Sequence, residues 1–270
     1  MSAIAATWGL MLLLGTVQGI TEFLPISSSG HLALIQHFAA LGEASLVEDI
    51  VLHAATLLAV VLYYRNSLLA LVTGILRGDA GARRYALLIV LANLPAAAVG
   101  LGFRHQIEGL FAQPLAIYTA FLVTGWVLFT SRATLAQATS PLEFSRVSWR
   151  SAMFIGCAQA VAILPGVSRS GWTIAAGLRS GLPPAEAARF SFLLSLPAIG
   201  GAMLLSLRDL GSVEAGMGPL ALGFVASAVV GYFCLGWLVR LTRQMSLHRF
   251  SWYLWSAGCA GLLFHFLLRG

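Results

Sequence analysis

The chain has 270 residues, of which 59% are hydrophobic and only 10% are charged. Soluble domains carry about 25% charged residues and transmembrane β-barrels alternate polar with apolar residues, so the long unbroken apolar runs exclude both classes. The net charge of +6 comes from arginine alone, which is typical of loops beside lipid headgroups and does not indicate a nucleic-acid partner.

The first half of the chain predicts a helical hairpin followed by three membrane-spanning helices. An apolar run over 4–24 ends at Pro25, and proline stops a helix. The serines that follow can cap a second helix over about 28–41, so the chain bends back on itself. Spans are predicted over about 48–64, 85–103 and 114–131. The connections 66–84 and 104–113 are predicted to be loops, the first with room for one short interfacial helix.

The second half repeats this plan after a polar linker over about 132–149. A hairpin over about 150–180 bends at Pro165 and Gly166. Three spans follow, over about 186–207, 218–240 and 250–268. A hairpin returns to its own side of the membrane whereas three spans cross it, so the halves must be inverted. We therefore predict an all-α polytopic membrane protein with one integral membrane domain (1–270) and two inverted-topology repeats, about 1–131 and 150–270, each a re-entrant helical hairpin plus three transmembrane helices.

The arginines test this topology. With the 65–84 connection in the cytoplasm, twelve lie inside, namely Arg65, Arg77, Arg83, Arg84, Arg132, Arg146, Arg150, Arg179, Arg189, Arg240, Arg243 and Arg249. Three lie outside, namely Arg104, Arg208 and Arg269. This bias agrees with the positive-inside rule and predicts a site that opens to the outer, periplasmic face. Arg169, at the bend of the second hairpin, is the one arginine left at membrane depth.

Two polar stretches, one in each predicted bend, share a pattern. A shift of 141 positions superposes Gln18 on Gln159, Ser27 on Ser168, Ser29 on Ser170 and Gly30 on Gly171. Polar and charged groups at membrane depth are costly to bury, and that cost indicates function. We interpret the two stretches as the two halves of one anion site.

The first stretch offers oxygen ligands for a cation. Gln18 and Glu22 are four residues apart, so they share one face of a helix. Carboxylate and amide oxygens bind divalent cations, and a buried carboxylate can also accept a proton. We therefore predict a metal site at Glu22, with Gln18 as a second ligand. The alternative is that both side chains only hydrogen-bond the backbone of a broken helix.

Serine and histidine begin the helix that follows Pro25. The free amides of a helix N-terminus bind anions, and Ser27 and Ser28 lie there. A serine in this place could attack phosphorus, and His31, one turn later, could move the proton. The alternative is that the serines are helix caps and His31 is a packed imidazole.

The second stretch adds a fixed cation. Arg169 suits bidentate recognition of phosphate, and its alternatives are a snorkelling arginine or a structural ion pair with Glu22. The neighbouring hydroxyls that could bind the same phosphate belong to Ser168, Ser170 and Thr173. His53, at the outer start of a span, could line the site or simply pack. Asn93, two residues before a proline, is predicted to pack or to kink its helix.

At these stretches the chain resembles the undecaprenyl-diphosphate phosphatase family of the bacitracin-resistance type. The matching positions of the first motif are Gln18, Thr21 to Pro25 and Ser27 to His31, and those of the second are Pro165 to Thr173. The likeness covers nearly the whole chain. The chain has glutamine at position 18 where the more familiar motif has glutamate, which leaves Glu22 as the only carboxylate of the motif.

The resemblance implies hydrolysis of a C55 polyprenyl diphosphate to the monophosphate in the bacterial plasma membrane, with Mg²⁺ or Ca²⁺. It implies Ser28 as the nucleophile, His31 as the acid/base, Gln18 and Glu22 as metal-linked groups and Arg169 as the phosphate ligand. A water nucleophile, with Ser28 only orienting it, is equally allowed by the sequence.

A lipid flippase or transporter is the second interpretation, because inverted repeats with polar bends at the midplane also suit a carrier. The Ser-Ser-x-Gly-His cluster favours the enzyme, since a carrier needs no nucleophile. A purely structural scaffold would leave a buried Glu22 and Arg169 unexplained. The expected partners are the lipid substrate and membrane lipids, and the sequence leaves both a monomer and a homodimer open.

Overall fold

A computed structural model describes residues 3–38, 46–131, 147–206, 216–244 and 246–269. Within these residues all regular structure is helical, which confirms the predicted all-α class. The helices described are α1 (Ala3–Phe23), α2 (Ser28–Phe38), α3 (Leu46–Tyr63), α4 (Arg65–Leu76), α5 (Ala80–Gly102), α6 (Arg104–Phe111), α7 (Pro114–Thr130), α8 (Trp149–Val161), α9 (Arg169–Arg179), α10 (Pro184–Ser206), α11 (Met217–Arg243) and α12 (Arg249–Arg269). The predicted linker lies outside the described residues except for its last three positions, as do Arg132, Arg146 and Arg208 of the arginine count.

Two short breaks interrupt apolar helices at the places that the prolines predict. The first separates α1 from α2 around Pro25, and Ser27 there has a left-handed φ of 72°. The second separates α8 from α9 around Pro165, and Gly166 has a φ of 86°. A residue with positive φ leaves the path of a right-handed helix, so each break ends one helix and allows the next to begin within a few residues. The re-entrant course of these hairpins through a membrane stays a prediction.

Helices long and apolar enough to cross a membrane confirm a multi-pass class. In the described part of the chain α5, α10 and α11 pass this test singly. Two bent pairs pass it together, α3 with α4 at 73° and α6 with α7 at 97°. The structure therefore supports three to five spans, whereas the sequence predicts six in addition to the hairpins.

Two connections predicted to be mainly loop are helical. The 66–84 connection contains α4, a helix of 12 residues, and α5 already begins at Ala80, where the Asp79 side chain accepts hydrogen bonds from Gly81 N and Ala82 N. The 104–113 connection contains α6, which buries Ile107. Short amphipathic helices of this kind lack the long apolar run that marks a span, so hydropathy alone did not reveal them.

Helix α1 packs against α11 at backbone contact. A Cβ added to Gly15 would lie 2.3 Å from the carbonyl oxygen of Gly223, and one added to Gly19 would lie 2.8 Å from that of Ser227. At Gly9, outside this contact, a Cβ would meet nothing within 4 Å. Small residues let helix backbones approach this closely in membranes. The close contact therefore fixes the position of α1 relative to α11, and with it the position of the bend that follows α1.

The fold buries a second ion pair, away from the bends. Arg189 and Glu186 of α10 pair with each other at 6% and 7% exposure. The hydroxyl of Tyr85 on α5 donates to Glu186 Oε1 at 3.0 Å. Arg169 is therefore not the only arginine with little exposure, whereas its place as the one arginine at membrane depth stays a prediction. The sequence shows that these two charges are three residues apart on one helix, but it does not show that both are buried.

Candidate active site

The two helix breaks contact each other. A Cβ at Gly30 would lie 2.9 Å from the Cα of Gly166, and one at Gly171 would lie 3.1 Å from the Cβ of Pro25. The hydroxyl of Ser170 donates to the carbonyl oxygen of Leu24 at 3.3 Å. The N-terminus of α9 therefore lies directly beside that of α2, and the two polar stretches form one site.

The two stretches have the same local geometry. Ser27 and Ser168 cap their helices, because their hydroxyls accept from the backbone N–H three residues later at 3.3 and 3.2 Å. Each capping hydroxyl also pairs with the serine two residues on, Ser29 and Ser170, at 3.3 Å in both cases. Each cap satisfies one backbone donor of the first turn and leaves others. Two helix N-termini, both attractive to anions, thus face one small region.

Glu22 is the centre of the site. Its Oε1 accepts a charge-assisted hydrogen bond from Nη2 of Arg169. Its Oε2 accepts from the Ser28 hydroxyl at 2.5 Å and from Gln18 Nε2 at 3.3 Å. The Nε2 atom of His53 lies 3.9 Å from the same oxygen. A carboxylate only 7% exposed therefore links the predicted nucleophile, the predicted phosphate ligand and the predicted metal ligand.

The guanidinium of Arg169 is only partly satisfied. Its side chain is 14% exposed, and Nη1 is buried with no hydrogen-bond partner among the described residues. A buried donor without a partner is costly, and a guanidinium fork matches the oxygens of a phosphate. The free nitrogen next to two helix N-termini therefore favours an anionic ligand at this place. The ion pair with Glu22, one of the alternatives raised by the sequence, is also present.

His31 lies at the edge of the site and is not the acceptor of the hydrogen bond that the Ser28 hydroxyl donates. Its Nδ1 lies 2.7 Å from the carbonyl oxygen of Ser27, and its Nε2 lies 2.6 Å from the hydroxyl of Tyr253. The ring contacts Phe121 at 5.1 Å and stacks on Tyr253 at 5.8 Å between centroids. Ser28 donates to Glu22, so the carboxylate is the group placed to accept its proton.

Thr173 lies behind the site. Its side chain is fully buried, and its hydroxyl bonds the carbonyl oxygen of Arg169 at 2.7 Å and the hydroxyl of Ser191 at 2.5 Å. Gln159, the counterpart of Gln18, donates to Asn93 Oδ1 at 2.9 Å, and Asn93 donates to two backbone carbonyls. Asn93 therefore ties α5 to its neighbours, in line with a packing role.

The sequence left His53 undecided, and the structure places it against Glu22. Its Nδ1 lies 2.8 Å from the carbonyl oxygen of Asp49, one turn earlier on α3. Thr56 on the same face lies 3.5 Å from Gln18 Nε2. A polar face of three residues spaced three and four apart at the start of an apolar helix was the available signal. No sequence signal marked Tyr253 as part of the site, because a half-exposed tyrosine near the end of a span resembles an interfacial residue.

A divalent cation would find few ligands from the protein alone. In the described residues no group of three or more His, Cys, Asp and Glu side chains lies together. Gln18 Oε1 is buried and has no hydrogen-bond partner in that part of the chain, so it remains free to face a cation beside the Glu22 carboxylate. Mg²⁺ is commonly held by one or two carboxylates together with substrate phosphates. The donor set fits that arrangement and does not fit a preformed protein cage.

Comparison with known proteins places this site in a described family. The family described as "Bacitracin resistance protein BacA" matches residues 11–260. A protein of Geobacter metallireducens named "Undecaprenyl-diphosphatase" is 42% identical over 261 residues, covering 94% of this chain and 96% of its own. One of the same name from Methanobrevibacter smithii is 39% identical, with coverages of 92% and 94%. "Undecaprenyl-diphosphatase 4" of Bacillus thuringiensis subsp. konkukian is 37% identical, with coverages of 96% and 98%.

Proposed function

The chain belongs to the bacitracin resistance protein BacA family, and we propose that it removes the terminal phosphate of undecaprenyl diphosphate. The observation that carries the proposal is the contact of one buried carboxylate, Glu22, with both the Ser28 hydroxyl and the Arg169 guanidinium. The products are undecaprenyl phosphate and inorganic phosphate, which recycles the lipid carrier of cell-wall synthesis and accounts for bacitracin resistance.

Substrate binding rearranges the charges around Arg169. The diphosphate oxygens bind the guanidinium, beginning at its free Nη1, and the N-termini of α2 and α9. The phosphate then shares Arg169 with Glu22 and weakens the ion pair that occupies the carboxylate. Stabilisation of charge is the main task of a phosphoryl-transfer site. The arrangement thus makes Glu22 more available as a base only when the substrate is present.

Chemistry follows from the hydrogen bond between Ser28 and Glu22. The carboxylate accepts the hydroxyl proton while the serine oxygen forms a bond to the terminal phosphorus. The bond from that phosphorus to the bridging oxygen breaks, and the electron pair leaves on undecaprenyl phosphate. Water then hydrolyses the phosphoserine: its oxygen bonds to phosphorus while His31, the acid/base of the proposal, accepts its proton, and the bond from phosphorus to the Ser28 oxygen breaks as that oxygen takes back the proton from Glu22. A water molecule oriented by Ser28 could attack directly in the same geometry.

The proposal includes a divalent cation, Mg²⁺ or Ca²⁺, for which Glu22 and Gln18 would be the protein ligands. The unpartnered Oε1 of Gln18 supports the assignment. When bound, the cation supplies additional neutralisation of the phosphate charge. Because the protein offers few ligands itself, we expect tight cation binding only together with the diphosphate.

The topology also enters as a proposal. We place the protein in the bacterial plasma membrane as one integral domain of two inverted repeats, with the site open to the outer face. The equivalent caps of α2 and α9 and the arginine distribution support this. Two variants test this orientation in intact cells, Arg104→Cys and Arg77→Cys, each carrying the introduced cysteine as its single cysteine. A membrane-impermeant thiol reagent is expected to label Arg104→Cys directly and Arg77→Cys only after permeabilisation. The reverse pattern would overturn the orientation.

Ser28→Ala in purified protein is the direct test of the function. Phosphate release from undecaprenyl diphosphate is expected from the wild type, to fall on chelation of divalent cations, and to fall by about 1000-fold or more in the variant, as when a catalytic nucleophile is lost. Ser180→Ala is the matched control, since among the described residues that hydroxyl bonds only the Ala176 carbonyl, at the end of α9. No release by the wild type, or normal release by Ser28→Ala, contradicts the proposal.

The carrier interpretation has no support from the relatives, whose names are those of a hydrolase. The hydrogen bond from Ser28 to Glu22 also favours the enzyme, because it activates an oxygen that a carrier would not use. Phosphate release in detergent, without two aqueous compartments, separates hydrolysis from transport.

A further inference from the structure

The hydroxyl of Tyr253 on α12 contacts a site residue from the other end of the chain. It lies 2.6 Å from His31 Nε2, although the two residues are 222 positions apart. The phenol ring also stacks on the imidazole with 13° between the ring planes. Tyr253 is 46% exposed, so burial of its ring does not account for the contact. A short hydrogen bond combined with stacking fixes both the position and the rotation of the imidazole.

The proton arrangement follows from the partners. A backbone carbonyl can only accept a hydrogen bond, so His31 Nδ1, 2.7 Å from Ser27 O, carries a proton. In the neutral imidazole the second nitrogen then has the lone pair, and the tyrosine hydroxyl donates to it. Nε2 is therefore the one nitrogen of His31 with which the ring can accept a proton. The Tyr253 hydroxyl donates a hydrogen bond to that nitrogen.

We propose that Tyr253 is a positioning residue of the phosphatase site, which acts through His31 by fixing its tautomer and by aiming Nε2. The inference rests on the function proposed above. The Ser27 carbonyl holds one side of the ring from the bend itself, and α12 holds the other from outside the bend. A histidine held by a single hydrogen bond can rotate, whereas the second hydrogen bond, the tilted ring of Phe121 and the near-parallel ring of Tyr253 leave one orientation.

A positioning role predicts a specific kinetic pattern. Tyr253→Phe keeps the stacked ring and removes only the hydroxyl, and we expect kcat to fall by about tenfold, the lower end for outer partners of a functional histidine, with KM changed less than about twofold. In a His31→Gln background the same substitution should change kcat by less than about twofold, because residues that act as a unit are not additive. Tyr232→Phe on α11, whose ring packs on Tyr63, is the matched control and should retain the wild-type kcat.

A spectroscopic readout tests the same contact independently of activity. In protein labelled with ¹⁵N-histidine, with His31→Gln used to assign the signal, His31 should show a protonated Nδ1 and a hydrogen-bonded Nε2. Tyr253→Phe should shift the Nε2 resonance of His31 and leave the other histidines in place.

The outcomes distinguish a failure of the proposed function from a failure of the role of Tyr253 alone. Inactive wild-type protein would overturn the proposed function. An active wild type with unchanged kcat and an unchanged Nε2 resonance in Tyr253→Phe would overturn only the role of Tyr253. An equal loss of kcat with and without His31 would also overturn it, since that loss would not pass through the histidine. A tenfold loss confined to the background that contains His31 supports it.

Discussion

Glu22→Gln is expected to lower the rate of phosphate release by about 1000-fold, in the middle of the range for loss of a general base. The amide cannot take the Ser28 proton that Oε2 is placed to accept at 2.5 Å, and it removes the negative charge that any divalent cation would need. Substrate-saturated phosphate release by purified protein measures the effect. Because the loss concerns chemistry, it should persist at any lipid concentration.

Glu108→Gln is the matched control for this substitution. Glu108 is exposed on α6 and pairs with Arg104 at 2.7 Å, outside the two bends, so the same change there should leave the rate at the wild-type level. Glu22→Gln also leaves a buried arginine without its ionic partner, a change that typically costs about 3–5 kcal/mol. Thermal unfolding of the detergent-solubilised variant therefore accompanies the assay. A folded Glu22→Gln protein with near-normal activity would contradict the proposed role of the carboxylate.

Arg169→Lys should reduce kcat/KM by about 100-fold or more. The ammonium keeps the positive charge and can still meet Glu22, but it cannot present two nitrogens in the fixed plane that phosphate oxygens match. The missing donor is the one that is free in the structure, Nη1. Steady-state kinetics over a range of undecaprenyl diphosphate concentrations separate the expected rise in KM from the fall in kcat.

Arg150→Lys provides the comparison for Arg169→Lys. Arg150 is exposed near the start of α8, with its guanidinium over the Trp149 ring, and the lysine variant should have wild-type kinetics. If Arg169→Lys also retained wild-type kcat/KM, phosphate recognition by the guanidinium fork would be wrong, and the arginine would serve only as the counter-ion of Glu22.

The sequence could predict the groups of the site that lie within the two motifs. Ser27 and Ser168 were recognisable because helix caps are local, and the shift of 141 positions indicated that the two bends are equivalent. Glu22 and Arg169 were recognisable because charges in an apolar run are costly. The caps and the charges are signals within one short stretch, and the repeat was visible because the two stretches share the same local pattern.

The contacts between remote helices could not be predicted in the same way. Tyr253 reaches His31 from α12, and His53 reaches Glu22 from α3. The polar face of α3 marked His53 as unusual, but nothing in either segment identified the residue that it would contact. The sequence suggested that His31 could move the Ser28 proton, because a serine and a histidine one turn apart are close on a helix. In the structure the Ser28 hydroxyl donates its hydrogen bond to Glu22 across the break at Pro25. The acid/base role of His31 stays a prediction.

The long helices of the fold could be predicted from the sequence better than the short helices and the buried ion pair. Long apolar runs predicted the bounds of α7, α10, α11 and α12 to within a few residues. The sequence allowed one short helix where α4 lies but gave no bounds for it, and it did not predict α6, because the composition of both segments is mixed. The buried pair of Arg189 and Glu186 was missed because a charge count assigns every arginine near a helix end to the water-exposed side.

The contact between α1 and α11 determines what must move during turnover. Gly15 and Gly19 rest on the backbone of α11 so closely that a slide of one residue along the interface would drive a side chain into a carbonyl oxygen. The helix that carries Glu22 is therefore held in one register against α11. With the carboxylate in a fixed place, we expect the lipid head to travel to it, and no helix to carry the carboxylate to the lipid.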